Sequence, residues 1–189
     1  MGRTELALSL LLSYPWLGNL PVADSVEQRF PAPRGFSRDP AVAASFASWL
    51  RGLPLKPGRP PVHLHDGSLK ANQTAHAAVL DMDVGRRDLQ QCADAVMRLR
   101  AEYLFSVGRL GGIAFHFTNG DLIPFARWAR GERPQMSGTR VRWMTGSPPD
   151  ASHASLRAYL ETVFMYAALR WVVIRGPRSA NDLQSLQLP

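Results

Sequence analysis

The chain has one cysteine, Cys92, and two lysines, Lys56 and Lys70, among its 189 residues. A single cysteine excludes an intramolecular disulfide framework and every multi-cysteine zinc or iron–sulfur motif. No stretch of 18 apolar residues occurs, so the sequence offers no membrane-spanning helix. Acidic side chains are scarce as well, 15 against 22 basic ones, which leaves a formal net charge of +7. Twenty of the basic residues are arginine, dispersed along the chain, and the longest basic run is Arg86-Arg87. Proteins that bind nucleic acid concentrate such charge on one face or in a tract, often between aromatics. No specific nucleic-acid partner is therefore expected, and the excess of arginine over lysine fits GC-rich coding.

What remains is the composition of a folded protein, 46% apolar, 20% charged and 9% aromatic. The length fits one domain that buries about 70% of its unfolded surface, enough for a core without metals or disulfides. Fifteen prolines and fifteen glycines put many turns between short elements. The N-terminus reads two ways. Arg3 ahead of Leu6 to Leu12 resembles the apolar core of a signal peptide. Glu5 and the poor cleavage segment Ser13-Tyr14-Pro15-Trp16 point instead to an amphipathic first helix. The first reading implies a periplasmic or secreted protein, the second a cytoplasmic one.

The organisation follows from punctuation and periodicity. Residues 1–13 form the signal-like or helical segment, and 14–38, with four prolines, an extended lead-in. Residues 39–168 form the main α+β domain, and 169–189 an atypical tail, expected to be poorly packed from Gly176. Asp39-Pro40 predicts a helix start, with Val42, Phe46, Trp49, Leu50 and Leu53 at helical spacing up to Gly52 and Pro54. Val62–His65 and Ala77–Val84 read as strands, the first ending in the turn pair Asp66-Gly67. Asp88-Leu89-Gln90-Gln91 has the form of a capping box with Asp88 as N-cap. A helix then carries Leu89, Cys92, Val96, Leu99, Tyr103 and Leu104 as its apolar stripe, with Arg98 and Arg100 outside it. Ile113–Thr118 reads as a strand closed by Asn119-Gly120, and Asp121 as the cap of a short helix with Phe125 and Trp128. Val141–Trp143 reads as a strand and Ser152–Arg170 as a long helix with Leu156, Tyr159, Leu160, Val163 and Ala167 inward. Helices and strands mix without strict alternation, which predicts an α+β fold with a mixed or antiparallel sheet and three to four helices.

Chemistry has few candidates. Cys92 sits in the first turn of a capped helix, where the dipole favours a thiolate, and His116 on a later strand could serve as its base. The same position on the apolar stripe reads more simply as a buried, inert thiol, which is the expectation. Asp81 and Asp83 share one strand face and could hold a cation, share a proton or orient a histidine; they could also simply pair with Arg86 or Arg87. His63 and His65 also share a face, but no third ligand joins them, so no metal site is assigned. His76 and His153 read as loop or cap residues. The aromatics Phe46, Trp49, Phe115, Phe117, Phe125, Trp128 and Phe164 read as core. No cofactor motif is found, and none is expected.

Several stretches together resemble a known family. They are Phe46-Ala47-Ser48-Trp49-Leu50-Arg51-Gly52-Leu53-Pro54-Leu55, Leu80-Asp81-Met82-Asp83-Val84-Gly85 and Arg87-Asp88-Leu89-Gln90-Gln91-Cys92-Ala93-Asp94. Arg98 to Leu104, His116-Phe117-Thr118-Asn119-Gly120 and Tyr159 to Ala167 belong to the same pattern. Over about residues 44 to 167 the chain resembles the bacterial domain of unknown function 4846. That resemblance implies an exported protein of no established activity, and a papain-like core of the cell-wall peptidase type. The family pattern continues into a Gly-Asp-Val-Phe strand and a Gly-His-Ala strand, which Leu169–Pro189 does not match. The end therefore looks truncated or replaced, and a missing catalytic histidine would leave the chain inactive.

Two functions follow. One is an exported binding or structural protein of the cell envelope without catalysis. The other is a cysteine hydrolase of amides or esters, with Cys92 as nucleophile, His116 as base and Asp83 or Asp81 orienting it.

Overall fold

Ser25 starts the first regular element. Its hydroxyl accepts the Gln28 N–H and caps α1, Val26–Arg29, a single turn inside the segment expected to be extended. The computed structural model describes residues 13–18 and 20–167. The signal-like segment and the tail beyond residue 167 lie outside the described residues. The chain divides into two compact units, residues 1–87 and 88–189.

In the first unit, α2 spans Phe46–Arg51 and Ser45 is its N-cap, accepting the Ser48 N–H at 3.2 Å. The helix starts later than Asp39-Pro40 because Ala44 takes the left-handed region, φ 57°, and interrupts it; Val42 is exposed. Trp49 is fully buried against Tyr14, whose hydroxyl donates to the Trp49 carbonyl at 2.9 Å. The two expected strands are reduced to isolated bridges, His63 with Leu69 and Leu55 with Leu80. Around the first, the Gln73 side chain takes the place of a strand partner. Its amide accepts the Val62 N–H and donates to the Val62 carbonyl, both at 2.9 Å. Pro60 and Pro61, with no N–H to offer a ladder, precede it. The turn at Asp66-Gly67 forms as expected: the Ser68 N–H and hydroxyl donate to the Asp66 carboxylate and hold it below the usual carboxylate range.

The second unit is built on α3, Cys92–Ser106, and α5, His153–Tyr166. The N-cap of α3 is Gln91, not Asp88, and Asp94 closes the box by accepting the Gln91 N–H at 3.1 Å. A short 3₁₀ turn, Leu110–Gly112, leads into β1, Ala114–His116, which pairs antiparallel with β2, Leu122–Pro124. The turn between them contains Gly120 at φ 89°, as Asn119-Gly120 implied. Phe125–Ala129 forms α4, with Phe125 and Trp128 buried, but its N-cap is Pro124. Asp121 instead lies in the turn and bonds elsewhere. A second hairpin joins β3, Glu132–Ser137, to β4, Arg140–Thr145. β3 is invisible to periodicity because it carries Arg133, Pro134 and Gln135 and buries no residue. Helix α5 begins as expected, with the Ser152 hydroxyl accepting the Ser155 N–H at 3.2 Å. Its buried face is Ser155, Leu156, Tyr159, Leu160 and Val163. Extended backbone at Ala167, ψ 142°, ends it before Arg170.

The core of this unit gathers Ile113, Phe115, Phe117, Ile123, Phe125 and the inner face of α5. Tyr159 is its centre, ringed by Phe115, Phe125 and Trp128 and donating its hydroxyl to the Ile123 carbonyl at 2.6 Å. The fold is α+β, with five helices and two small antiparallel sheets among the described residues. No helix among them is long and apolar enough to cross a membrane.

Candidate functional site

The phase of α3 decides where its chemistry points. Met97, Arg98, Ala101, Glu102, Tyr103 and Leu104 are buried, while Cys92 and Val96 are exposed. Of the expected stripe, Tyr103 and Leu104 are thus buried, while Cys92 and Val96 face outward. The reason is charge compensation. Arg98 and Glu102, four residues apart, turn inward together, and a hydrophobicity pattern places both outside.

Arg98 and Glu102 have no exposed side-chain surface, and the Arg98 Nε donates to Glu102 Oε1 at 2.6 Å. A third residue completes the cluster from α5. His153 Nε2 lies 3.0 Å from Glu102 Oε1 and 2.8 Å from Oε2. Gln90 adds an acceptor, its Oε1 3.3 Å from Arg98 Nη1. A carboxylate only accepts, so Nε2 is the donor to Glu102. Nδ1 makes no hydrogen bond to a described residue and is not among the sealed, unpartnered atoms. The His153 side chain is 24% exposed. Phe105, one turn beyond Glu102 on α3 and half-buried, meets the imidazole edge-on with ring centres 5.6 Å apart.

Sequence reasoning placed His153 at a cap and missed its role. The signal was the Arg98–Glu102 spacing, which has to find a compensating partner if it is buried.

Cys92 is the first residue of α3, ten positions from Glu102, which is about 15 Å along the helix axis. Its thiol makes no hydrogen bond to a described residue and forms no disulfide. His116 sits on β1 opposite Leu122, with Nδ1 buried and without a partner. Asp83 belongs to the first unit, where its carboxylate accepts the Gly85 N–H at 3.0 Å. Asp81 is half-buried there, and its carbonyl accepts the Trp16 indole N–H at 2.6 Å. His63 Nδ1 lies 2.9 Å from the Gly67 carbonyl, and His76 Nε2 lies 3.0 Å from that of Pro60. Among the described residues, no three His, Cys, Asp or Glu side chains are grouped to hold a metal ion.

Comparison with known proteins gives one match. The model of a family described as a domain of unknown function (4846) aligns with residues 26–173. No curated protein and no solved structure matches the chain.

Proposed function

The chain belongs to the family of domain of unknown function 4846, and from that premise we propose that it is an exported bacterial envelope protein that binds rather than catalyses. The observation that carries this reading is the surroundings of Cys92. A cysteine nucleophile needs a base within hydrogen-bond reach and a third group orienting that base. Here the thiol is exposed and without a hydrogen bond to a described residue. The carboxylate of Glu102 orients His153, and Glu102 lies about 15 Å along α3 from Cys92. Export is supported by the apolar run Leu6–Leu12 behind Arg3 and by the resemblance to exported proteins.

The test is chemical. Native protein is treated with iodoacetamide across pH 6 to 9, and hydrolysis of a p-nitrophenyl ester and a peptidoglycan stem peptide is followed with Cys92→Ala as the control. The thiol should alkylate at the rate of an ordinary exposed cysteine, and Cys92→Ala should leave any hydrolysis unchanged. Rapid alkylation at pH 6 together with hydrolysis abolished by Cys92→Ala would restore the cysteine hydrolase reading with His116 as base.

A further inference from the structure

A cleft of about 420 Å³ opens in the first unit, with Pro33, Phe36, Arg38, Asp39 and Arg51 of α2 in its wall. That volume is in the range of small-molecule sites. Backbone carbonyls hold its two cations in place. Arg38 Nη2 donates to the Phe30 carbonyl, and Arg51 Nη2 donates to the Asp39 carbonyl at 2.8 Å. Both guanidiniums also approach one oxygen, Glu27 Oε1, at 4.0 Å from Arg38 Nε and 3.9 Å from Arg51 Nη1. Those distances lie beyond a hydrogen bond and the Glu27 side chain is 51% exposed, so this pairing is weak. The two guanidiniums make no other hydrogen bond to a described residue, and the Asp39 carboxylate makes none at all to one. Phe36 is 76% exposed and stacks on no ring among the described residues. Its place is fixed by a turn, in which its N–H donates to the Pro33 carbonyl at 3.0 Å around Gly35 at φ 86°.

We propose that this cleft binds an α-amino acid with an apolar side chain. Such a ligand carries a carboxylate, an ammonium and an apolar group on one carbon, and the wall has a partner for each. Arg38 and Arg51 take the carboxylate, whose two oxygens suit paired guanidinium donors. Asp39 takes the ammonium, and Phe36 with Pro33 covers the side chain. With Glu27 counted, two positive charges face two negative ones. A zwitterion leaves that balance intact, whereas sulfate or phosphate brings negative charge beside Asp39 and Glu27 with nothing to offset it. The proposal rests on the binding reading above and names a site and a ligand class for it.

The experiment titrates the full chain, ¹⁵N-labelled at arginine, with L-phenylalanine near neutral pH. The Nε signals of Arg38 and Arg51 should shift saturably. Phenylalaninamide, which lacks the carboxylate, and N-acetylphenylalanine, which lacks the ammonium, should each bind more weakly by on the order of tenfold or more. Glycine, with no side chain to cover, should bind about fivefold more weakly or worse. These comparisons need no variant. Arg38→Gln, Asp39→Asn and Phe36→Ala change exposed side chains, so each should keep the parent's circular dichroism while weakening L-phenylalanine by about fivefold or more. No saturable shift at either arginine, binding of either derivative as tight as that of L-phenylalanine, or equal competition by inorganic phosphate would overturn the site. Those outcomes leave the alkylation and hydrolysis of the Cys92 test untouched, so failure here and failure of the non-catalytic reading are distinguishable.

Discussion

The carboxylate of Asp121, in the turn between β1 and β2, accepts the backbone N–H of Val141 on β4 at 2.8 Å. It also takes the Asn119 side-chain amide at 2.7 Å, and that amide donates in turn to the Thr139 carbonyl at 2.8 Å. One side chain therefore ties the two hairpins of the second unit together. Asp121→Ala should destabilise the protein by about 1–3 kcal/mol, because the half-buried Val141 N–H loses a charged acceptor. Hydrogen exchange should speed up selectively at Val141. A denaturation midpoint identical to that of the parent would show that the hairpins are held by other contacts.

The start of α3 gives a second prediction. Asp94 accepts the Gln91 N–H and adds the acidic charge of the first turn. Asp94→Ala removes a cap and a favourable dipole contact, at about 1 kcal/mol. Urea titration followed by circular dichroism measures it, and no change would place the cap elsewhere.

Breaking the buried ion pair should be far more harmful than removing it whole. Arg98→Met leaves Glu102 buried with only His153 against it and should lower stability by about 3–5 kcal/mol. Adding Glu102→Leu in the same chain should regain most of that loss. If the double variant is as unstable as the single one, the pair's net attraction outweighs its desolvation. Calorimetry on the three proteins decides.

Alkaline pH should act on the first unit through Tyr14. Burial pushes its hydroxyl up from 10.0 to about 12. Its O–H also donates to the Trp49 carbonyl, a bond the phenolate could not make. The unfolded chain therefore gives up this proton first. The contribution of Tyr14 is complete below pH 10 and is lost as pH rises from 10 through 12. Tyr14→Phe should flatten the fall in melting temperature over that window; an equally steep fall in the variant would shift the cause to other groups. Tyr159, wholly buried, is held neutral to still higher pH by the same desolvation.

Gly131 gives the sharpest steric test. It sits at φ 92°, and a Cβ there would lie 2.0 Å from the Ser147 carbonyl oxygen. Gly131→Ala should therefore displace the chain leading out of β4 and lose several kcal/mol, on the order of the largest single-residue effects. A melting temperature within a degree of the parent would show that the Ser147–Pro148 backbone moves aside without cost.

Sequence alone determined those features that local chemistry dictates. The start of α5 near Ser152, the inward face Leu156, Tyr159, Leu160 and Val163, the Asn119-Gly120 turn and the α+β class all follow from short-range rules of periodicity and positive-φ turns. The family pattern was legible for the same reason, since it is carried by contiguous residues. Tertiary structure decided what depends on compensation between distant groups. α3 presents Arg98 and Glu102 to the interior because each neutralises the other and His153, 51 positions beyond Glu102, satisfies the carboxylate. That choice rotates the helix, exposes Cys92 and brings an imidazole beside Phe105. A hydrophobicity pattern scores each charge alone and puts it in water; burial of a charge is set by its partners, and the partners are named only by the fold.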